Sequence, residues 1–355
     1  MLERRVVAIG LVSVLFAAVA HADDVCLPSR GSSRLLRVRP SCKPSEHRVG
    51  SLAGFERLLA ALSSEDNGAT LRLTGINLQI VSGSGSTAGT PNGLGNLIVG
   101  YDEQPLEPRV DSRAGSHNVV VGPAHSYSSY GGLIVGEGNR IAAPFASVSG
   151  GVGNGALGEW SVVSGGLGND ATGAGASVSG GISNKATGNA AAVSGGAGNL
   201  ASGQSTSVSG GNQNVAGCES DVFCSTGEWA SVSGGTQNMA FGYSSWIGGG
   251  QLNHVALLGI TGAIAGGLSN QATGWSASVH GGQNNVAGPD GDPTDVAGEP
   301  GAIMSATVCG GRANRARASF SSIGGGANLV LASEDGWAAG SLGAGGPFVG
   351  PHRSE

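Results

Sequence analysis

The chain has 355 residues, of which 67 are glycine, with 12 % charged and 5 % aromatic side chains and a formal net charge of −6. Glycine at well over twice its usual share of about 7 %, without a Gly-X-Y period, excludes collagen. The thin acidic balance excludes an extended basic surface for nucleic acid, and a composition this poor in large apolar residues can order itself only through a strict repeat.

Residues 1–22 have the pattern of a secretory signal peptide. Arg4 and Arg5 precede an apolar run from Val6 to Val19, too short to span a bilayer comfortably, and Ala20-His21-Ala22 supplies a small-residue cleavage site. The expectation is an exported protein, secreted or at the cell surface, whose mature part starts at Asp23 and carries no transmembrane segment. Residues 23–48 are expected to form an irregular basic segment. They hold Pro28, Pro40 and Pro44 among Arg30, Arg34, Arg37, Arg39, Lys43 and Arg48, read as a solvated linker with little order.

A short helical signal follows within residues 49–67. Leu52, Phe55, Leu59 and Leu62 are spaced 3, 4 and 3 apart, which suits either a short coiled-coil seam or a single helix that caps the repeat. Glu65-Asp66-Asn67-Gly68 marks a turn, and Leu71 to Val81 alternates like a strand.

Residues 68–330 form the repeat region. A leading apolar residue recurs every 15 positions at Leu133, Val148, Val163, Val178, Val193 and Val208, and continues at Val232, Ile247, Ile264, Val279, Val308 and Ile323. The longer steps locate insertions near 217–226 and 288–301, and one of two residues between Ile247 and Ile264. Each unit reads Val-Ser-Gly-Gly-x-x-Asn-x-Ala-x-Gly. Alternation sends the valine inward and the serine outward, while the glycine pair permits a sharp bend. The fold class expected is all-β, a parallel β-solenoid or β-roll of about 15-residue coils, with rungs about 4.8 Å apart. Residues 331–355 are expected to be a flexible tail.

The asparagine six positions after each valine is expected to bond to its own image on adjacent coils. This predicts a ladder of Asn154, Asn169, Asn184, Asn199, Asn214, Asn238, Asn253, Asn270, Asn285 and Asn314. Ala156 and its counterparts two positions later imply a narrow lumen.

Export places the cysteines in an oxidising compartment. Cys26 and Cys42 share the N-terminal segment, Cys218 and Cys224 share one insertion, and these four are the disulfide candidates, with Cys309 left over. Neither pair has zinc-site spacing with histidines.

Chemistry is sparse in the repeat. His280 and Cys309 fall on consecutive coils of the outer stripe, but no third orienting group accompanies them, and a tolerated substitution in that stripe explains them more simply. Asp290, Asp292, Asp295 and Glu299 read as a solvated acidic loop rather than an ion site. The positions where calcium-binding solenoids carry aspartate hold Asn, Ala and Gly here, so no metal or cofactor is expected. Trp160, Trp229, Tyr243 and Trp275 recur at one corner, where they would pack against a neighbouring subunit or stack on a ligand such as a sugar ring.

The repeat resembles the head repeats of YadA-like trimeric autotransporter adhesins. Ser321-Ser322-Ile323-Gly324 and Asn118-Val119-Val120-Val121-Gly122 come nearest to that family's Ser-Val-Ala-Ile-Gly form, and the resemblance covers about residues 94 to 330. It implies a left-handed parallel β-roll that trimerises side by side, and an adhesin-like role toward a glycan, a matrix or a host surface molecule. The family's stalk and C-terminal membrane barrel have no counterpart in Gly345-Gly346-Pro347 and the polar residues after it. The expectation is therefore a non-enzymatic, exported structural or binding protein. A polysaccharide-acting enzyme on a β-solenoid and a phage-fibre-like scaffold are the alternatives.

Overall fold

The computed structural model describes residues 24–28, 37–44, 46–104, 112–217, 227–289, 304–340 and 348–351. The chain divides into two compact units, residues 1–79 and 80–355, each described by itself.

In the first unit the irregular basic segment contains three short strands, β1 (Asp24–Pro28), β2 (Arg37–Arg39) and β3 (Glu46–Ser51). They pair antiparallel with β1 in the centre. Cys26 is fully buried and forms a disulfide with Cys42. The order missing from the local sequence is thus imposed by a covalent tie across a 16-residue separation. Helix α1 (Leu52–Ala61) follows, with the Ser51 hydroxyl accepting a hydrogen bond from the Gly54 N–H at 3.1 Å. It is shorter than the expected stretch. Leu62 is already extended and opens strand β4 (Leu62–Glu65), so the 3-4-3 seam is not carried by one helix. Strand β4 pairs antiparallel with β5 (Thr70–Leu73) around a turn in which Asn67 is left-handed. The strand expected over 71–81 stops at Leu73 because its pairing partner stops there.

The second unit is a parallel β-solenoid. Among the described residues one sheet has 16 strands and the other 13, and within the solenoid each strand pairs in parallel with its counterpart one coil away. Parallel pairing starts at Leu97–Val99, not at 68, and continues to Gly336–Ala339. The part of the expected tail nearest 331 is therefore solenoid: Leu331 and Ala338 fill the two inward columns although Val-Ser-Gly-Gly no longer marks the coil. An antiparallel strand, Phe348–Pro351, then closes the larger sheet.

Insertions do not disturb the register. Val208 still pairs with Val232, Ile247 with Ile264 and Val279 with Val308. The core consists of columns one residue wide. Val148, Val163, Val178 and their counterparts on the larger sheet face Ala156, Ala171, Ala186 and theirs on the smaller one, all essentially without solvent contact. Alanine leaves room for only one branched side chain opposite, and this sets the narrow lumen. Larger side chains replace alanine in this column at Tyr127 and Ile141 near one end, at Val255 in the middle and at Leu331 near the other end.

Candidate functional site: a ladder inside and an aromatic corner outside

Each repeat asparagine is buried and serves two coils. From Asn154 to Asn314, each backbone N–H donates to the side-chain oxygen of the preceding ladder residue at 2.8–3.1 Å. The side-chain amide also reaches the following coil. That of Asn169 donates to the carbonyls of Gly165 and Gly181, both at 3.0 Å. The ladder starts earlier than its repeat motif suggests. Asn154 bonds to Asn139, and Asn139 donates its N–H to Nδ1 of the fully buried His125 at 3.2 Å. With Nδ1 accepting, Nε2 carries the proton and donates to the Val121 carbonyl at 3.0 Å. At the other end the Leu329 N–H donates to the side-chain oxygen of Asn314 at 3.0 Å, and the leucine side chain carries the ladder no further. The ladder is the scaffold of the site, because it holds every glycine bend in one register.

Those bends need glycine for a second reason. Gly151 has a φ of 80°, and a Cβ there would overlap the Gly166 carbonyl and lie 2.6 Å from Nδ2 of Asn154. Gly166, Gly181 and Gly196 repeat the arrangement.

The four aromatic residues of the sequence reading lie at one corner, after the smaller sheet and before the larger, in two adjacent columns. Hydrogen bonds give the alignment. The N–H groups of Trp229 and Ser244 donate to the carbonyls of Gln204 and Glu228, and that of Ser305 to Trp275. Trp160 and Trp229 therefore share the column of Ser244 and Ser305, whereas Tyr243 and Trp275 stand one residue earlier, in the column of Glu228. The trigger is the distance from the corner glycine: two residues for Trp160 and Trp229, one for Tyr243 and Trp275. The structure adds two residues to the first column, Phe145 and Phe320, each 15 positions from a member (Trp160 and Ser305) and so within reach of the repeat period.

The backbone at this first column is left-handed. Phe145, Trp160, Trp229 and Phe320 have φ between 55° and 58°. An L-residue in that region costs on the order of 1–2 kcal/mol relative to ordinary backbone, and the counterpart Gly175 shows that glycine serves there. The rings do not repay this cost by burial, since Phe145, Trp160, Trp229 and Phe320 are 44, 59, 46 and 52 % exposed. Trp275 is likewise 44 % exposed. Trp229 and Tyr243 pack edge to face with ring centroids 4.9 Å apart, and Tyr130 with Phe145 at 5.4 Å. Such a corner offers flat apolar faces to a ligand and holds them on a rigid ladder.

His280 and Cys309 do lie on consecutive rungs of the larger sheet. The His280 N–H donates to the Val308 carbonyl, and both side chains face solvent, with Cys309 a free thiol. Among the described residues no group of three His, Cys, Asp or Glu side chains is placed to hold a metal ion. Cys218, Cys224, Asp290, Asp292, Asp295 and Glu299 lie outside the described residues. Among those described, no helix is long and apolar enough to cross a membrane.

No protein-family model and no curated protein matches this chain. The fold is thus established by its own hydrogen-bond pattern: a repetitive β-solenoid surface built from coils of about 15 residues.

Proposed function

We propose that this chain is exported through residues 1–22 and acts as an adhesin-like binding protein, its β-roll assembling as a homotrimer like the YadA-like heads its repeat resembles. The observation that carries the reading is the row of exposed aromatic rings held on left-handed backbone at one corner. The left-handed φ belongs to the coil, since Ala190, Ser205 and Ser244 share it, so what singles out these rungs is that large apolar rings are left exposed on them. The reading is non-enzymatic: the consensus positions of the repeat are Val, Ser, Gly, Asn and Ala, none of which titrates near neutral pH, and the exceptions His280 and Cys309 stand exposed on the outer stripe. The glycan, matrix or host surface molecule bound is the partner of that corner.

The test combines light scattering of the mature chain with retention on immobilised extracellular matrix and on intact cells. A trimer that is retained supports the reading. A monomer at all concentrations removes the trimer, and a chain retained on neither surface overturns the binding role.

A further inference from the structure

Building on that binding role, we propose that the aromatic corner is a binding track for a linear, uncharged polysaccharide. Ten rungs separate Phe145 from Phe320, through positions 160, 175, 190, 205, 229, 244, 261, 276 and 305. At the spacing of parallel strands this is a row of about 48 Å. The rings are spread along it singly or in edge-to-face pairs, with four rungs between Trp160 and Trp229. A protein partner would favour one central cluster of anchors, which this line does not contain. A second copy of the chain would meet a repeating surface, yet the column varies among Trp, Gly, Ala, Ser, Thr and Phe.

Charge selects between the polymers that stack on aromatic rings. A single nucleic-acid strand requires a cationic groove beside its stacking platforms. Between Pro144 and Phe320 the two corner columns hold Glu159 and Glu228 and no Lys, Arg or His. Both carboxylates also repel acidic polysaccharides. The rungs between the rings present neutral hydrogen-bonding groups instead, among them Asn189 and Gln204, whose amides suit sugar hydroxyls. Apolar faces for pyranose rings, amides for their hydroxyls and no cation together define an uncharged glycan.

The test is affinity electrophoresis of the mature chain in gels containing glucomannan, xyloglucan or galactomannan, with pectate and a poly(dT) strand as charged controls. The variants are Trp160→Gly, Trp229→Gly and Trp275→Ala. Glycine and alanine are the residues at the counterpart positions 175 and 174, so the first two remove a ring and relieve left-handed strain together. Their thermal unfolding should match or exceed that of the parent chain, which separates lost binding from lost folding.

The expected result is retardation by at least one neutral polysaccharide. Each single variant should weaken it by roughly three- to tenfold, the scale of one ring contact, and the triple variant should abolish it. Retardation by none of the neutral polymers, or by the charged ones alone, overturns the inference. So does retardation unchanged in the triple variant, or a triple variant whose molar mass drops, which would make the rings subunit contacts. Retention on matrix or cells without polysaccharide binding sinks this inference and leaves the binding role standing; loss of both sinks both.

Discussion

The side-chain oxygen of Asn154 accepts two hydrogen bonds from Asn169 on the next rung, one from its backbone N–H at 2.9 Å and one from its amide at 3.2 Å. Asn169 passes the same support on to Asn184, whose backbone N–H reaches its oxygen at 2.9 Å. Replacing Asn169 by Ala strands the buried N–H of Asn184, at a cost of about 1–3 kcal/mol. Because a solenoid's coils communicate with their nearest neighbours, the damage should stay local. Hydrogen exchange should show Asn169→Ala losing protection around residue 184 while rungs beyond Val255 keep theirs. Uniform loss along the whole solenoid would show that the ladder acts as one cooperative unit instead.

The two glycines of each bend should respond differently to an added methyl. At Gly165 the nearest atom to a new Cβ is 3.9 Å away, an ordinary contact. At Gly166, with φ at 90°, the Cβ would overlap the Gly181 carbonyl. Gly165→Ala is expected to change stability by less than about 1 kcal/mol, and Gly166→Ala to cost well over 2 kcal/mol. Urea denaturation of the two variants decides it; equal effects would remove the close approach of successive bends as the reason for the second glycine.

The solenoid was legible because its physical demands recur. An inward branched residue, a left-handed bend and a ladder donor each return every 15 positions, so the register across both insertions could be read by counting from Val208 to Val232 and from Val279 to Val308. His125 escaped because an imidazole does the work of an asparagine there, through a ring nitrogen rather than an amide oxygen. The sheet of β1–β3 escaped because a disulfide and non-local pairing hold it, and neither leaves a periodic trace. The aromatic corner was half legible. Its location followed from the Gly-x pattern, but the exposure of the rings and the left-handed backbone that Trp160 and Trp229 share with Ala190, Ser205 and Ser244 are properties of the folded coil.

Cys26 and Cys42 tie the first unit alone. Closing a loop of this length is worth about 3 kcal/mol to the unit that contains it. Adding reductant should therefore release protection around β1 and β3 and leave the exchange of the solenoid's valine rungs unchanged. Intact-mass measurement after alkylation without reductant should show one label, on the exposed Cys309, if Cys218 and Cys224 are joined as their spacing suggests. Three labels would leave that pair reduced.

His254 makes the solenoid sensitive to mild acid. Its ring packs edge to face on Phe241 with centroids 5.2 Å apart, Nε2 is buried without a hydrogen-bond partner, and burial lowers its pKa below the usual 6.5. The folded state therefore holds the imidazole neutral while the unfolded chain protonates it first. Above about pH 6.5 the group adds no pH dependence; as pH falls from there toward the depressed folded value, the unfolded state binds more protons and stability declines. His254→Gln cannot titrate and should flatten that decline. Thermal unfolding at pH 7.5 and pH 5 should show the parent chain losing more stability than the variant over this interval. Equal losses would place the pH sensitivity elsewhere in the chain.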